Sequence, residues 1–251
     1  MRLYQSIIAL CLLASVSFAG NVFIGEQVVI GGKFPPTVSS GGSISSPTNI
    51  ADCILCVEAD QPQLSGYTNG QPVAVWYDAS ASARNLTPVD GTPTFTNSCI
   101  NGKPAIVFTG GAQDFISAEF TNVQTAILVQ SADLATDYTS LFGKGSDWNG
   151  DTVASGNVIS SAYASSLVRG GSAWTNSVSV SPTAMKWDYG KWEIRELVTT
   201  GNVTVGSYSF NNIGGRVWNG RMFAVVLFSR AITTTERQQI ETYFNGKLAI
   251  Y

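Results

Sequence analysis

The amino-acid sequence predicts an all-β protein, built as a two-sheet antiparallel sandwich with one short helix at its C-terminal end. The chain of 251 residues is 44% apolar and only 12% charged, and it contains 25 glycines. Such a composition is typical of many short strands joined by tight turns. About a dozen short apolar runs follow residue 50, and turn formers such as Asn101-Gly102 and Asn219-Gly220 separate many of them. A chain of this length can bury a substantial core.

The first nineteen residues have the pattern of an export signal. Arg2 precedes an apolar run from Ile7 to Val16, and Ser17-Phe18-Ala19 has the small-x-small pattern of a cleavage site. The alternative is an uncleaved anchor, but the run is shorter than the ~20 residues that span a bilayer. We therefore expect cleavage after Ala19, a secreted protein and no stable membrane span.

Residues 20–49 are predicted to form an N-terminal arm. Residues 21–34 alternate well enough for a strand or hairpin, and residues 35–49 are a linker rich in Pro, Ser and Gly. The main domain is predicted to span residues 50–251, with strands at 53–59, 72–80, 92–97, 104–110, 115–120, 125–131, 139–145, 157–163, 165–170, 192–200, 202–210 and 221–230.

One helix is predicted after the last strand. Thr233 is its expected N-cap, because Glu236 follows three residues later and completes a capping box. Gly246 is the expected C-terminal stop, and Ile240 and Phe244 are the expected buried face.

Four stretches in order along the chain carry a family resemblance. They read ILCVEADQPQL, VWYDASASARNLTP, NGKPAIVFTGGAQDFI and WNGRMFAVVLFSRAITTTERQQIETYF. Over residues 50–251 the chain resembles the laminin-G-like branch of the concanavalin A-like lectin and glucanase superfamily. The resemblance implies a jelly-roll sandwich. It implies no single activity, because this fold hosts lectins, glycosidases and structural modules. Within the third stretch we expect Asp114 to be a turn residue, and Phe108 and Phe115 to lie in the core.

Composition narrows the chemistry that the chain can perform. The sequence contains no histidine, which excludes Ser-His-Asp triads and every histidine-based metal site. Its net charge is −3 and it has no basic stripe, so nucleic acid is not an expected partner. Glu193 and Glu196 are three residues apart, and on a strand they point to opposite faces, unlike the paired carboxyls of a retaining glycosidase. We expect Arg195 to form a surface pair with Glu193 and to keep the pKa of Glu193 low.

Three cysteines remain after the leader is removed. Cys53 and Cys56 lie roughly 10 Å apart on an extended strand, too far for a disulfide. Two alternatives stay open: a disulfide between Cys99 and either Cys53 or Cys56, or three free thiols.

Two polar loops carry the predicted ligand-binding residues. Trp148 lies among Asp147, Asn149 and Asp151, and Trp174 lies in a similar polar stretch. Exposed tryptophans in such surroundings can stack on sugar rings while amides and carboxylates bind the hydroxyls. Trp148, Asn149, Asp151 and Trp174 are therefore the candidate ligand-binding residues. Asp147, Asn149 and Asp151 also form a candidate calcium site, and no other cofactor is expected.

Three functions remain open from the sequence. The first is a non-catalytic exported module that binds a glycan or a surface partner through its end loops. The second is a structural subunit of an extracellular or virion assembly, in which the N-terminal arm adds a strand to a neighbouring sheet. The third, and least favoured, is a glycoside hydrolase.

Overall fold

The structure is a computed structural model that describes residues 42–89, 91–110, 113–142, 147–207, 216 and 218–251. Every described residue lies in the compact unit that spans residues 38–251. The predicted leader and most of the predicted arm, residues 20–41, therefore lie outside the described residues.

Eight strands and two α-helices make up the described part of the chain. They are β1 (Cys53–Glu58), β2 (Thr94–Ile100), β3 (Lys103–Thr109), β4 (Ile116–Ala135), α1 (Ser166–Arg169), β5 (Ser172–Thr175), β6 (Val178–Val180), β7 (Glu193–Ser207), β8 (Trp218–Phe228) and α2 (Thr234–Leu248). Single 3₁₀ turns lie at Pro47–Asn49, Pro62–Leu64 and Pro182–Ala184.

All eight strands pair antiparallel in one open sheet of order β2-β3-β8-β4-β7-β5-β6, with β1 also paired to β8. This confirms the all-β, antiparallel prediction, and the architecture is consistent with a sandwich. Strand β4 is 20 residues long and lies between β7 and β8. Its pairing with β7 shifts register three times between Ile116 and Thr125. Such irregularities bend a strand, so β4 and β7 curve together.

Apolar side chains fill both faces at the centre of the sheet. Every residue of β8 from Met222 to Phe228 is buried, as expected for a strand that is covered on both faces. Phe108 and Phe115 are also buried and meet edge to face at 6.1 Å, so both are core residues as predicted. Asp114 accepts a hydrogen bond from the backbone N–H of Val89 at 3.1 Å, which suits the predicted turn role.

The C-terminal helix agrees with the sequence at its start and differs at its end. Thr233 caps α2 and forms the predicted capping box with Glu236. The helix passes through Gly246 and ends at Leu248, where Ala249 adopts the left-handed conformation. The predicted stop at Gly246 was therefore wrong, since the left-handed cap falls on Ala249 instead.

Paired charges fix α2 to the sheet. The guanidinium of Arg237 contacts Glu196 of β7 at 2.8 Å and Glu241 at 2.6 Å, and all three side chains are at least nine-tenths buried. Nearby, the Nζ atom of Lys247 contacts Glu58 at 2.6 Å and Asp60 at 2.9 Å. The helix is therefore attached by ion pairs as well as by its apolar face.

Side-chain hydrogen bonds replace a predicted strand at residues 72–80. Only isolated bridges form there, such as that between Trp76 and Leu86. The carboxylate of Asp78 accepts hydrogen bonds from the backbone N–H groups of Cys56, Ser80 and Arg84 at 2.8 to 2.9 Å. A short polar side chain that binds the backbone in this way competes with a strand ladder.

Several further segments differ from the prediction. Residues 157–163 and the described part of 139–145 were predicted as strands, but they form bends, turns and one isolated bridge at Asn157. Residues 165–170, predicted as a strand, contain the one-turn helix α1, because the Ser165 hydroxyl caps the N–H of Val168. Residues 42–49 were assigned to the linker, yet Ile44 packs against the core and the carbonyl of Gly42 accepts a hydrogen bond from Gln239 of α2. The folded part of the chain therefore begins before residue 50.

Candidate functional site

Trp148 is an anchor for a loop and not an exposed stacking surface. Its side chain is fully buried, it packs edge to face on Phe142 at 4.8 Å, and its indole N–H donates to the carbonyl of Thr204 at 2.8 Å. The prediction that this ring is exposed to ligand was wrong. The polar neighbours of Trp148 in the sequence suggested that the ring is exposed. In the structure, Asp147 and the Trp148 ring both bind the backbone of Thr204 in β7.

Trp174 was predicted on a loop and lies on strand β5 instead. It stands opposite Glu196 of β7, and the guanidinium of Arg237 lies 4.6 Å from its ring centroid. One face of the half-buried indole is therefore occupied by an intramolecular cation–π contact. The structure does not bring Trp174 together with Trp148, because the two rings pack against different elements.

Of the four predicted ligand-binding residues, Asn149 alone lines a described cavity. This cavity has a volume of about 360 Å³, and its described lining consists of Tyr138, Asn149, Tyr163 and Arg216. We call it the tyrosine cavity. The rings of Tyr138 and Tyr163 meet nearly at right angles with centroids 5.6 Å apart. The cavity thus combines two aromatic rings, an amide and a guanidinium.

Tyr138 lines the cavity from a strained backbone conformation. It follows β4 in a turn closed by the N–H of Thr139 on the carbonyl of Thr136 at 3.2 Å, and its own φ is +61°. Glycine usually occupies such a position, because the left-handed conformation costs other residues about 1–2 kcal/mol. A bulky aromatic residue there is an outlier of the kind that clusters at functional sites.

The Tyr163 side of the cavity is held by a hydroxyl and an amide. The buried Ser160 hydroxyl accepts the N–H of Tyr163 at 3.1 Å, and the side-chain amide of Asn149 donates to the Tyr163 carbonyl at 3.2 Å. A side chain at Gly150 would place its Cβ only 1.8 Å from the carbonyl oxygen of Thr139. Glycine is therefore required for the two loops to approach each other this closely.

The ring of Tyr163 remains accessible to a ligand. The residue is 58% exposed, one of the most exposed large hydrophobic residues in the described part of the chain. Arg216 lies just before β8, with its guanidinium carbon 5.2 Å from the centroid of Tyr138. Sequence reasoning missed Tyr138, Tyr163 and Arg216. The only local signal was a tyrosine in a Thr-Asp-Tyr-Thr turn, and residue type alone does not reveal its positive φ.

The two carboxylates of the predicted calcium site bind backbone or side-chain N–H groups. Asp147 accepts from the N–H of Thr204 at 3.0 Å, and Asp151 accepts from the N–H of Thr152 at 2.9 Å and from Asn157 at 3.4 Å. Among the described residues no group of three or more acidic or thiol side chains could hold a metal ion. Calcium binding at Asp147, Asn149 and Asp151 stays a prediction.

A second cavity, of about 420 Å³, opens where β7 begins. Its lining includes Trp192, Asp188, Lys191, Glu193, Asn101 and Cys99. Asp188 pairs with Lys191 at 2.9 Å, and Glu193 receives a hydrogen bond from the Nε atom of Arg195 at 3.0 Å. The charged groups of this cavity are therefore matched within the chain.

The two glutamates of β7 contact opposite sides of the sheet, as their spacing predicts. Glu196 meets Arg237 of α2, whereas Glu193 meets Arg195 and the second cavity. The Glu193–Arg195 pair is buried, so the expectation of a surface pair was wrong. Burial raises the pKa of Glu193, and the attraction of Arg195 offsets this only in part, contrary to the low pKa expected.

The cysteine thiols of the described residues are all free. Of the two alternatives left open by the sequence, the disulfide from Cys99 to Cys53 or Cys56 is therefore absent. Cys56 is fully buried on β1 and Cys99 is half-buried on β2, and β3 and β8 separate these strands in the sheet.

Models of known protein families, curated proteins and solved structures were compared with the chain, and none of them matches. Within the described ranges, no helix has both the length and the apolar character needed to cross a bilayer.

Proposed function

We propose that the chain is an exported, non-catalytic module of the laminin-G-like jelly-roll type, and that it binds carbohydrate in the tyrosine cavity. The observation that carries this proposal is the strained, perpendicular pair formed by Tyr138 and Tyr163 beside the amide of Asn149. Sugar rings stack their C–H faces on aromatic rings, and amide groups bind their hydroxyls.

The position of the cavity supports a binding role. Loops held by a rigid scaffold are common sites of recognition, and here Trp148 and the Asp147 carboxylate fasten the loop to β7. The second cavity offers a half-buried Trp192, but its charged groups are paired within the chain. The tyrosine cavity is therefore the better candidate for ligand binding.

A glycan array probed with the full chain tests the proposal, followed by calorimetry on the best ligand. Tyr163→Ala should lower affinity by roughly 2- to 10-fold, because a stacking contact on an aromatic ring contributes about 0.5–1.5 kcal/mol. Tyr138→Gly should lower affinity similarly while changing unfolding free energy by less than about 1 kcal/mol, because glycine relieves the strain at φ +61°.

Two control variants separate binding from folding. Tyr189→Ala removes an exposed tyrosine that does not line the tyrosine cavity, and it should leave affinity unchanged. Trp148→Phe removes the hydrogen bond to Thr204 and should destabilise the fold by about 1–3 kcal/mol. It should still bind at temperatures well below its melting point. Absence of binding across a broad array, or full affinity in both Tyr163→Ala and Tyr138→Gly, would contradict the proposed function.

The open sheet supports a second candidate, assembly by strand addition. Strands β2 and β6 lie at the edges of the described sheet, and edge strands present unpaired backbone groups to another chain. Since residues 42–49 pack on the domain, the informative deletion removes residues 21–41. Loss of oligomers in light scattering, with glycan binding retained, would assign assembly to the N-terminal arm. Glycoside hydrolysis remains the least favoured alternative, because Glu193 and Glu196 lie on opposite faces of β7 and both are ion-paired.

A further inference from the structure

Arg216 lines the tyrosine cavity without a carboxylate or carbonyl partner among the described residues. Its guanidinium contacts the ring of Tyr138, at 5.2 Å from the centroid. The other arginines of the described ranges each donate to a carboxylate or to a backbone carbonyl; these are Arg84, Arg169, Arg195, Arg221, Arg230 and Arg237. Arg216 therefore differs from them, because its N–H groups bind no acceptor among the described residues.

Asp137, Asp147 and Asp151 of the neighbouring loops form no ion pair with Arg216; their carboxylates bind backbone N–H groups instead. Asp137 accepts the N–H of Val153 at 2.6 Å, and the carboxylates of Asp147 and Asp151 also accept backbone N–H groups. None of the three belongs to the described lining of the cavity. The one charge in that described lining is thus the positive charge of Arg216.

Guanidinium geometry determines what this donor set can recognise. Arginine presents five N–H donors in a planar fork, which matches the two oxygens of a carboxylate. The cation–π contact places the guanidinium of Arg216 over the ring of Tyr138, in the same cavity as the exposed ring of Tyr163 on which a sugar could stack. An acceptor group on the edge of a stacked ring could then reach the free N–H groups.

We propose that the ligand of the tyrosine cavity is an acidic saccharide, whose ring-borne carboxylate is bound by Arg216 while its C–H face packs on the exposed ring of Tyr163. This inference rests on the proposed function and adds the chemical class of the ligand. The cavity, at about 360 Å³, is large enough for one or two sugar residues. The amide of Asn149 supplies a neutral partner for a hydroxyl group.

A matched pair of ligands tests the inference: oligogalacturonate, and the same oligomer with its carboxyls methyl-esterified. The native chain should bind the free acid roughly 10- to 100-fold more tightly in calorimetry, because a charge-assisted hydrogen bond adds about 1.5–3 kcal/mol. The preference should also weaken as salt is raised. Sialylated and sulfated oligosaccharides, each compared with its neutral parent, then identify which acidic group is preferred.

Arg216→Gln should remove this preference while leaving the melting temperature within a few degrees of the native value, since the residue forms no ion pair in the described part of the chain. Arg216→Lys should retain part of it. The matched control is Arg84→Gln, because Arg84 also lies over an aromatic ring, that of Phe120 at 4.8 Å, but does not line the cavity.

The outcomes separate the two levels of the proposal. Equal affinity for the acid and its ester, or an unchanged preference in Arg216→Gln, overturns the acidic ligand and leaves carbohydrate binding standing. Failure of every neutral and acidic saccharide to bind overturns both.

Discussion

The contact region of α2 and the loops around the tyrosine cavity satisfy their polar groups in different ways. In the contact region of α2, long side chains form buried ion pairs between regular elements, as at Arg237 with Glu196 and Glu241. In the loops of residues 136–142 and 147–165, short side chains bind backbone groups, as Ser160 and Asp147 do. The first arrangement fixes a helix to a sheet. The second holds loops open around a cavity.

This difference separates stability from recognition. Buried charges cost free energy unless they are paired, so the contact region of α2 tolerates little change. The region around the tyrosine cavity contains a strained tyrosine, an exposed tyrosine and an arginine without an ion pair among the described residues, none of which is needed to fill the core. Such features persist where a surface has a role other than packing. Changes in the contact region of α2 should therefore affect folding, and changes around the cavity should affect binding.

The largest expected effect is in the contact region of α2. Arg237→Met leaves two buried carboxyl groups, Glu196 and Glu241, without their counter-charge. We expect a loss of about 3–5 kcal/mol of unfolding free energy in a denaturant titration, the usual result of breaking a buried pair on one side.

Arg221→Met is the matched control for this variant. Arg221 pairs with Asp133 at 3.0 Å, but both side chains are more than one-third exposed, so the loss should be below about 1 kcal/mol. Similar losses in the two variants would contradict the distinction between buried and exposed pairs.

A smaller effect is expected at the N-terminus of α2. The guanidinium of Arg230 and the capping bonds with Thr233 lower the pKa of Glu236 to about 2. A carboxyl group whose pKa is lower in the folded state than in the unfolded state binds fewer protons when folded. Its stabilising contribution is therefore complete above the unfolded pKa of about 4.5 and is lost as the pH falls toward 2.

Glu236→Gln keeps an acceptor for the capping box and removes the charge. Thermal unfolding followed between pH 2 and 6 should show a shallower acid dependence than in the native chain, with the two curves closest at the lowest pH. Gln239→Glu adds a carboxyl group to the same helix outside the capping box, and it should leave the native slope between pH 2 and 4 nearly intact. Identical slopes for the native chain and Glu236→Gln would show that the Arg230–Glu236 contact does not form in solution.

The same contrast explains which parts of the molecule the sequence predicts. Strand β8 and helix α2 are long, and a continuous apolar run and a capping box mark them without reference to the rest of the chain. Segments 72–80 and 165–170 have strand-like composition, but Asp78 and Ser165 bind nearby backbone groups and change the local structure. These competing hydrogen bonds cannot be predicted from sequence alone, because they depend on where the partner backbone groups lie.

The candidate site was less predictable for a related reason. Asn149 was identified from the polarity of its loop, and it does line the cavity. Tyr138 and Arg216 are 78 positions apart in sequence and meet only through the strand pairing that ends at Ala135 and Trp218. Trp148 was misassigned because a tryptophan among polar residues has the same local pattern whether its ring points to solvent or, as here, beneath the loop.

The smallest expected effect concerns the thiols, and it tests whether β1 and β2 are as separate as the sheet order requires. Cys99→Ser should change unfolding free energy by less than about 0.5 kcal/mol, because the half-buried thiol forms no disulfide. Reduction with dithiothreitol should leave the melting temperature of the native chain unchanged.

Burial raises the pKa values of all three thiols, that of Cys53 to about 12, so alkylation at neutral pH should be slow. Mass spectrometry should find Cys99 labelled first and Cys56 labelled only after unfolding, since Cys56 is fully buried on β1. A mass two daltons below that of the fully reduced chain, or early labelling of Cys56, would mean that this part of the sheet is paired differently in solution.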